Sequence, residues 1–203
     1  SQFGCAYDVA NAKTVIAYRD GSTDGMAVVA TVSSTSISYG TPVQYNSGNS
    51  LYNDVIYDSN AEKVVISFRD ASASDNGKAV VGTVSGTSIS YGAVATFYSG
   101  TTDYTSSAFD STNNKAVIIY VDQSDSNKGK SVVGTISGTS ISFGDAATWT
   151  TTNSPGTAAT FDPDTGQVIV VGTANQGAGQ FARGTVSGTS ISFSELFTFT
   201  SGN

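Results

Sequence analysis

Two arginines and a scattered set of aspartates are the side chains of this sequence best equipped for chemistry or binding. Arg19 and Arg69 each follow an aromatic residue and precede an aspartate, as Tyr18-Arg19-Asp20 and Phe68-Arg69-Asp70. A guanidinium presents a rigid fork of donors, so a repeated arginine is a candidate ligand contact; an ion pair with the neighbouring loop is the simpler expectation. Oxygen-rich loops follow, from Asp20 to Asp24, Asp70 to Asp75 and Asp122 to Asp125. The candidate binding residues are therefore Arg19, Asp20, Asp24, Arg69, Asp70, Asp75, Asp122 and Asp125. Calcium favours six to eight hard oxygen ligands and is the one metal such loops suggest. None of them has the spacing of a helix-loop-helix calcium site, and the corresponding loop near the C-terminus reads Ala174-Asn175-Gln176-Gly177. Solvated turns, with no cofactor, are the preferred reading. A further aspartate closes each of four aromatic-Asp pairs, at Asp8, Asp58, Asp110 and Asp162. Aspartate at a strand end accepts hydrogen bonds from amides just beyond it, so these residues are expected to close turns.

Catalytic equipment is sparse. The sequence has no histidine, which removes the commonest general base, the commonest transition-metal ligand and the Ser-His-Asp and Cys-His arrangements. Cys5 is the single cysteine and is expected to be a small buried side chain. Glu62 and Glu195 are the only glutamates, so a carboxylate pair for glycoside cleavage would have to come from turn aspartates. A non-enzymatic protein is the expectation.

The elements that position these residues follow from an internal repeat. Thr31-Val32-Ser33-Ser34-Thr35-Ser36-Ile37-Ser38-Tyr39-Gly40 returns at residues 83–92, 135–144 and 185–194, at offsets of 52, 52 and 50 residues. Each copy reads as four strands. The first ends in the aromatic-Asp pair. The second is apolar throughout, as Val64-Val65-Ile66-Ser67-Phe68, which suits a strand covered on both faces. The third is typified by Ala79-Val80-Val81-Gly82-Thr83-Val84, and a tight turn leads into the fourth. Four antiparallel strands per unit and a period near fifty are the dimensions of a β-propeller blade. The expected fold is all-β: a single repeat domain over 1–203, with blades at about 1–48, 49–100, 101–152 and 153–203. Tyr45, Phe97, Trp149 and Phe199 recur at one position of the fourth strand and are expected to fill the spaces between blades. The copies run in frame, without a strand exchanged between the ends, so a four-bladed ring would close by packing alone. A piece of a longer array is the other arrangement, and the abrupt start and stop at blade limits favour it.

Composition sets the partners. Only 12% of residues are charged, the formal net charge is −7, and the nine basic residues are dispersed, which argues against nucleic acid. No apolar run is long enough to span a membrane.

The phrases Val80-Val81-Gly82-Thr83-Val84-Ser85-Gly86-Thr87-Ser88-Ile89-Ser90-Tyr91-Gly92 and Val64-Val65-Ile66-Ser67-Phe68-Arg69-Asp70 resemble a tandem repeat of tail-fibre-like virion proteins of marine bacteriophages. The resemblance covers all four copies, and copy four departs from it at Gly172-Thr173-Ala174. It implies a virion-surface or other extracellular location and a role in host adsorption. Together with variable loops on a rigid scaffold, it gives the expectation of a recognition module for a glycan or a cell-surface protein. A purely structural repeat, assembling with further copies of itself or with other virion proteins, is the alternative; a propeller-type glycan hydrolase ranks third.

Overall fold

Alternating strands and tight turns fold here into four antiparallel sheets, one per sequence repeat. The computed structural model describes residues 3–174 and 177–200. The first sheet holds β1 (Phe3–Asp8), β2 (Lys13–Arg19), β3 (Gly25–Ser33), β4 (Ser36–Tyr39) and β5 (Val43–Asn46). The second holds β6 (Ser50–Asp58), β7 (Lys63–Asp70), β8 (Asn76–Ser85), β9 (Ser88–Tyr91) and β10 (Ala95–Tyr98). The third holds β11 (Thr102–Asp110), β12 (Lys115–Asp122), β13 (Lys128–Ser137), β14 (Ser140–Phe143) and β15 (Ala147–Asn153). The fourth holds β16 (Thr157–Asp162), β17 (Gln167–Thr173), β18 (Gly179–Ser187), β19 (Ser190–Phe193) and β20 (Phe197–Thr198). This is the all-β, four-bladed propeller-like arrangement that the repeat implies.

One detail differs from the sequence reading. The outermost strand of each blade is broken in two, and both pieces pair with the same neighbour: β4 with Ala30–Ser33 of β3, and β5 with Gly25–Ala27. The break falls at Gly40, Gly92 and Gly144. There the hairpin turn of the following blade comes so close that a Cβ would stand 1.8, 1.8 and 2.0 Å from the carbonyl oxygens of Thr87, Thr139 and Thr189. A continuous strand with side chains at that point would push the blades apart.

The core lies between the blades. One apolar cluster joins Val15, Val29 and Tyr45 to Val64, Ile66 and Phe68; a second joins Val65, Val81 and Phe97 to Ile118 and Tyr120; a third joins Val117, Val133 and Trp149 to Val168 and Val170. Among the described residues no such cluster joins the first blade to the fourth. The recurring aromatics show the consequence: Tyr45, Phe97 and Trp149 are buried, whereas Phe199, against which no further blade packs among the described residues, is 60% exposed. Cys5 is likewise exposed rather than buried, because it sits on the outer face of the first blade; its counterpart Val55 is covered by that blade. At the hairpin tips the chain takes a positive φ, at 61°, 60° and 61° for Gly86, Gly138 and Gly188, and at 51° for Ser34 in the first copy. Glycine adopts this conformation without strain, which explains its recurrence there.

The turn-closing aspartates behave as their chemistry dictates. Asp58 accepts from the amides of Asn60 and Ala61 at 2.8 and 2.9 Å, and Asp110 from those of Thr112 and Asn113 at 3.0 and 2.9 Å. Asp8 and Asp162 make the same kind of contact. No helix among the described residues is long and apolar enough to cross a membrane.

Candidate functional site

The second strand of each blade ends at the same rim as the start of the next blade's first strand. All eight candidate residues lie on this rim, at the ends of β2, β7 and β12 or in the loops that follow, but they do not form a single site. Most tie their own loops together. Asp20 accepts from the amides of Ser22 and Asp24, both at 2.9 Å, and Asp24 accepts from the Gln44 amide nitrogen at 2.6 Å. Asp70 accepts from the Ser72 amide at 3.0 Å and from Lys78 Nζ at 2.8 Å. Asp125 is paired with Lys128 at 2.8 Å and Lys130 at 3.0 Å. Asn175 and Gln176 of the fourth loop lie outside the described residues.

Asp122 closes the corresponding loop of the third blade. It accepts from the Ser124 amide at 2.9 Å, the Tyr98 hydroxyl at 2.6 Å and Lys130 Nζ at 2.9 Å. Burial pushes its carboxyl pKa up, but the hydrogen bonds from Tyr98 and Lys130 outweigh burial and hold it below the ordinary value. A carboxylate with a depressed folded pKa stabilises the protein fully above its unfolded pKa, near 3.9, and loses that contribution as pH falls through the lower folded value. Asp122→Asn is therefore expected to cost about 1–2 kcal/mol at neutral pH, with the difference from the wild type closing as pH falls below about 4 in urea unfolding.

Arg69 and Asp75 differ from the rest because they join a network that crosses from the second blade to the third. Arg69 donates from Nε to Asp75 at 2.7 Å and from Nη1 to Asp103 of the next blade, with Nη2 2.5 Å from Asp75. Burial alone would lower the arginine pKa, but the two carboxylates reverse this and raise it, so the guanidinium stays charged. Gln123 donates to the second oxygen of Asp103. The guanidinium also lies over the Tyr52 ring, 5.9 Å from its centroid, and Tyr52 meets Tyr104 with ring centroids 5.0 Å apart. Burial, followed by the Asp103 charge, pushes the Tyr52 phenol up in pKa.

Both tyrosines hold unusual backbone conformations, with φ of 52° at Tyr52 and 50° at Tyr104. A bulky residue in this region is a conformational outlier and costs on the order of 1 kcal/mol or more. Each sits in a β-bulge, where pairing slips between Leu51 and Asp54 and between Asp103 and Ser106. The bulges are pinned from the next blade: Thr105 Oγ1 donates to the Tyr52 carbonyl and Thr157 Oγ1 to the Tyr104 carbonyl. Bulges re-aim side chains, and here they set two aromatic rings on the rim beside the arginine.

The other blade junctions lack this set. Arg19 occupies the position of Arg69, but Leu51 stands where Asp103 would be, and the buried Arg19 Nε finds no hydrogen-bond partner. At the third junction Val121 replaces the arginine, Pro155 the aspartate and Gly156 the tyrosine. Tyr52, Asp103, Tyr104 and Gln123 are the site residues not anticipated from the sequence; the recurrence of Tyr52 and Tyr104 at one repeat position was the available signal. Among the described residues no group of three or more acidic, cysteine or histidine side chains converges as a metal site.

No known protein family matches the sequence. No curated protein matches it either. Among solved structures, the chain is similar to AofleA from Arthrobotrys oligospora, with a TM-score of 0.63 at 9% identity; the match covers 100% of this chain and 58% of that one. The chain thus spans little more than half of that neighbour, and the likeness concerns the fold.

Proposed function

We propose that this protein is a non-enzymatic recognition module that binds a glycan at the rim between its second and third blades. The observation that carries this reading is the pair of strained tyrosines beside the Arg69–Asp75–Asp103 network. Aromatic rings stack on the apolar faces of sugars, while carboxylates and a carboxamide accept and donate hydrogen bonds to hydroxyls; few precisely oriented polar groups beside aromatic surface are the usual makings of a small-ligand site. Backbone strain held by the next blade is a form of pre-organisation, which lowers the ordering cost of binding. Cleavage is disfavoured because Arg69 engages both carboxylates of the cluster, leaving no acid and base opposed across a bond. An extracellular or virion-surface setting, with adsorption to a host surface as its use, fits the repeat resemblance and the acidic, lysine-poor composition.

The test is glycan-array binding followed by titration calorimetry on the best glycan. Tyr104→Gly is expected to weaken binding at least about tenfold while leaving stability within about 1 kcal/mol, because the lost ring contact is offset by relief of the positive φ. Glycine already occupies this position in the fourth blade, at Gly156. Asp103→Asn is expected to weaken binding as well. Binding that survives both substitutions would remove this rim from consideration, and no binding to any glycan would favour the structural-repeat alternative.

A further inference from the structure

We propose that Arg19, at the junction of the first and second blades, anchors a second binding site, which takes the carboxylate of an acidic sugar of the uronic acid kind. The second junction supplies the template. There Arg69 is held between two carboxylates of the protein, Asp75 of its own loop and Asp103 of the next blade. Arg19 occupies the same place, pairing with Gly25 across its sheet as Arg69 pairs with Gly77. Strand alternation puts it on the face of Val15 and Ala17, which the second blade covers. Both carboxylates are replaced around it. Thr23 stands where Asp75 does, with a φ of 78° against 60°. The Thr23 carbonyl accepts from the Ser50 amide, as that of Asp75 accepts from the Thr102 amide. Leu51 stands where Asp103 does: Leu51 pairs with Arg69, and Asp103 with Val121 at the equivalent position of the third blade.

The guanidinium is therefore half-buried without a counter-ion. Its Nε is buried and finds no partner among the described residues, and none of the described carboxylates forms an ion pair with it. The acidic residues next to it in sequence are engaged elsewhere. Asp20 accepts from the Ser22 and Asp24 amides of its own loop, both at 2.9 Å. Asp24 accepts from Gln44, which strand alternation from the inward Tyr45 places on the opposite face of the first sheet. A charged donor in this state gains a charge-assisted bond from any acceptor that reaches it, and the guanidinium fork matches a carboxylate. The same junction holds an orphan of the opposite kind. Asn49 Oδ1, two residues before Leu51, is buried with no partner among the described residues. An occupant of the junction must bring an acceptor for Arg19 and a donor for Asn49. A sugar acid carries both, as carboxylate and hydroxyl; a bare carboxylate carries only the first, and a neutral sugar lacks the charge. None of these residues belongs to the Tyr52–Tyr104 rim, so the two sites stand or fall separately.

The experiment is titration calorimetry of the whole chain with glucuronate, glucose and propionate. Glucuronate is expected to bind at least about tenfold more tightly than either of the others. Arg19→Gln and Leu51→Asp are each expected to weaken glucuronate binding at least about tenfold. The first removes the charge. The second leaves Arg19 in place and gives it the carboxylate that Asp103 gives Arg69, so it tests the site without deleting its anchor. Asn49→Ala is expected to bring glucuronate to within about threefold of propionate. Tyr104→Gly, at the other rim, is expected to leave glucuronate binding unchanged. Thermal unfolding of each variant confirms that its fold is kept. Absence of glucuronate binding, glucose or propionate as tight as glucuronate, or binding that survives Arg19→Gln or Leu51→Asp would overturn the proposal. So would a preference over propionate kept in Asn49→Ala, or binding lost in Tyr104→Gly.

Discussion

Phe68→Ala is expected to destabilise the protein by about 3–5 kcal/mol, whereas Tyr18→Ala, at the same repeat position, is expected to cost under about 1 kcal/mol. Phe68 is fully buried, its ring 5.1 Å from Tyr45 of the first blade, within the cluster that holds the first two blades together. Truncation removes that contact and leaves a cavity between two rigid sheets that cannot collapse into it. Tyr18 is only half-buried on the outer face of the first sheet, with no other sheet against it among the described residues, and so has less burial to lose. Urea unfolding of both variants under dilute, monomeric conditions checks the pair. Because Phe68 and Tyr45 share one cluster, the double substitution to alanine should cost less than the sum of the two single ones.

Gly92→Ala is expected to lower stability by about 3 kcal/mol, a fall of roughly 6–12 °C in Tm for a chain of this size. Its added Cβ would stand 1.8 Å from the Thr139 carbonyl oxygen, which is backbone and cannot swing aside. Relief requires the second and third blades to separate, and that loosens the cluster built on Phe97 and Tyr120. The matched control is Ser194→Gly in the fourth blade, which no hairpin approaches among the described residues. It removes the exposed hydrogen bonds that Ser194 Oγ accepts from the Arg183 amide and donates to the Glu195 carbonyl, both at 3.0 Å, and is expected to cost about 0.5–1 kcal/mol. Thermal unfolding compares the two directly. An equal loss in both would mean that the glycine serves its own blade's geometry rather than the contact with the next.

The repeat carried most of the fold into view. A fifty-residue period, alternation of apolar residues and glycine at the hairpin tips each constrain local structure, and local structure of this kind stacks in only a few ways. The turn aspartates were legible for the same reason: an Asx turn needs nothing beyond the next three residues. The break in each outer strand was not, because Gly92 ends its strand to admit an atom of a residue 47 positions further on.

For the binding site the division is sharper. Arg69 and Asp75 were identifiable by residue type and by their place in the longest loops. Asp103 was not, since its pairing with Arg69 spans 34 residues and exists only because successive blades bring one strand end beside the next strand start. The same reason left Arg19 and Arg69 indistinguishable in sequence, although one finds an aspartate across the junction and the other finds Leu51. The positive φ at Tyr52 and Tyr104 is imposed by bulges pinned from the neighbouring blade, so it too has no local signature. Sequence by itself determined the blade, because a blade is built from contacts short in chain separation. Tertiary structure alone decided which repeated residues meet across a junction, because that outcome depends on what the neighbouring blade supplies.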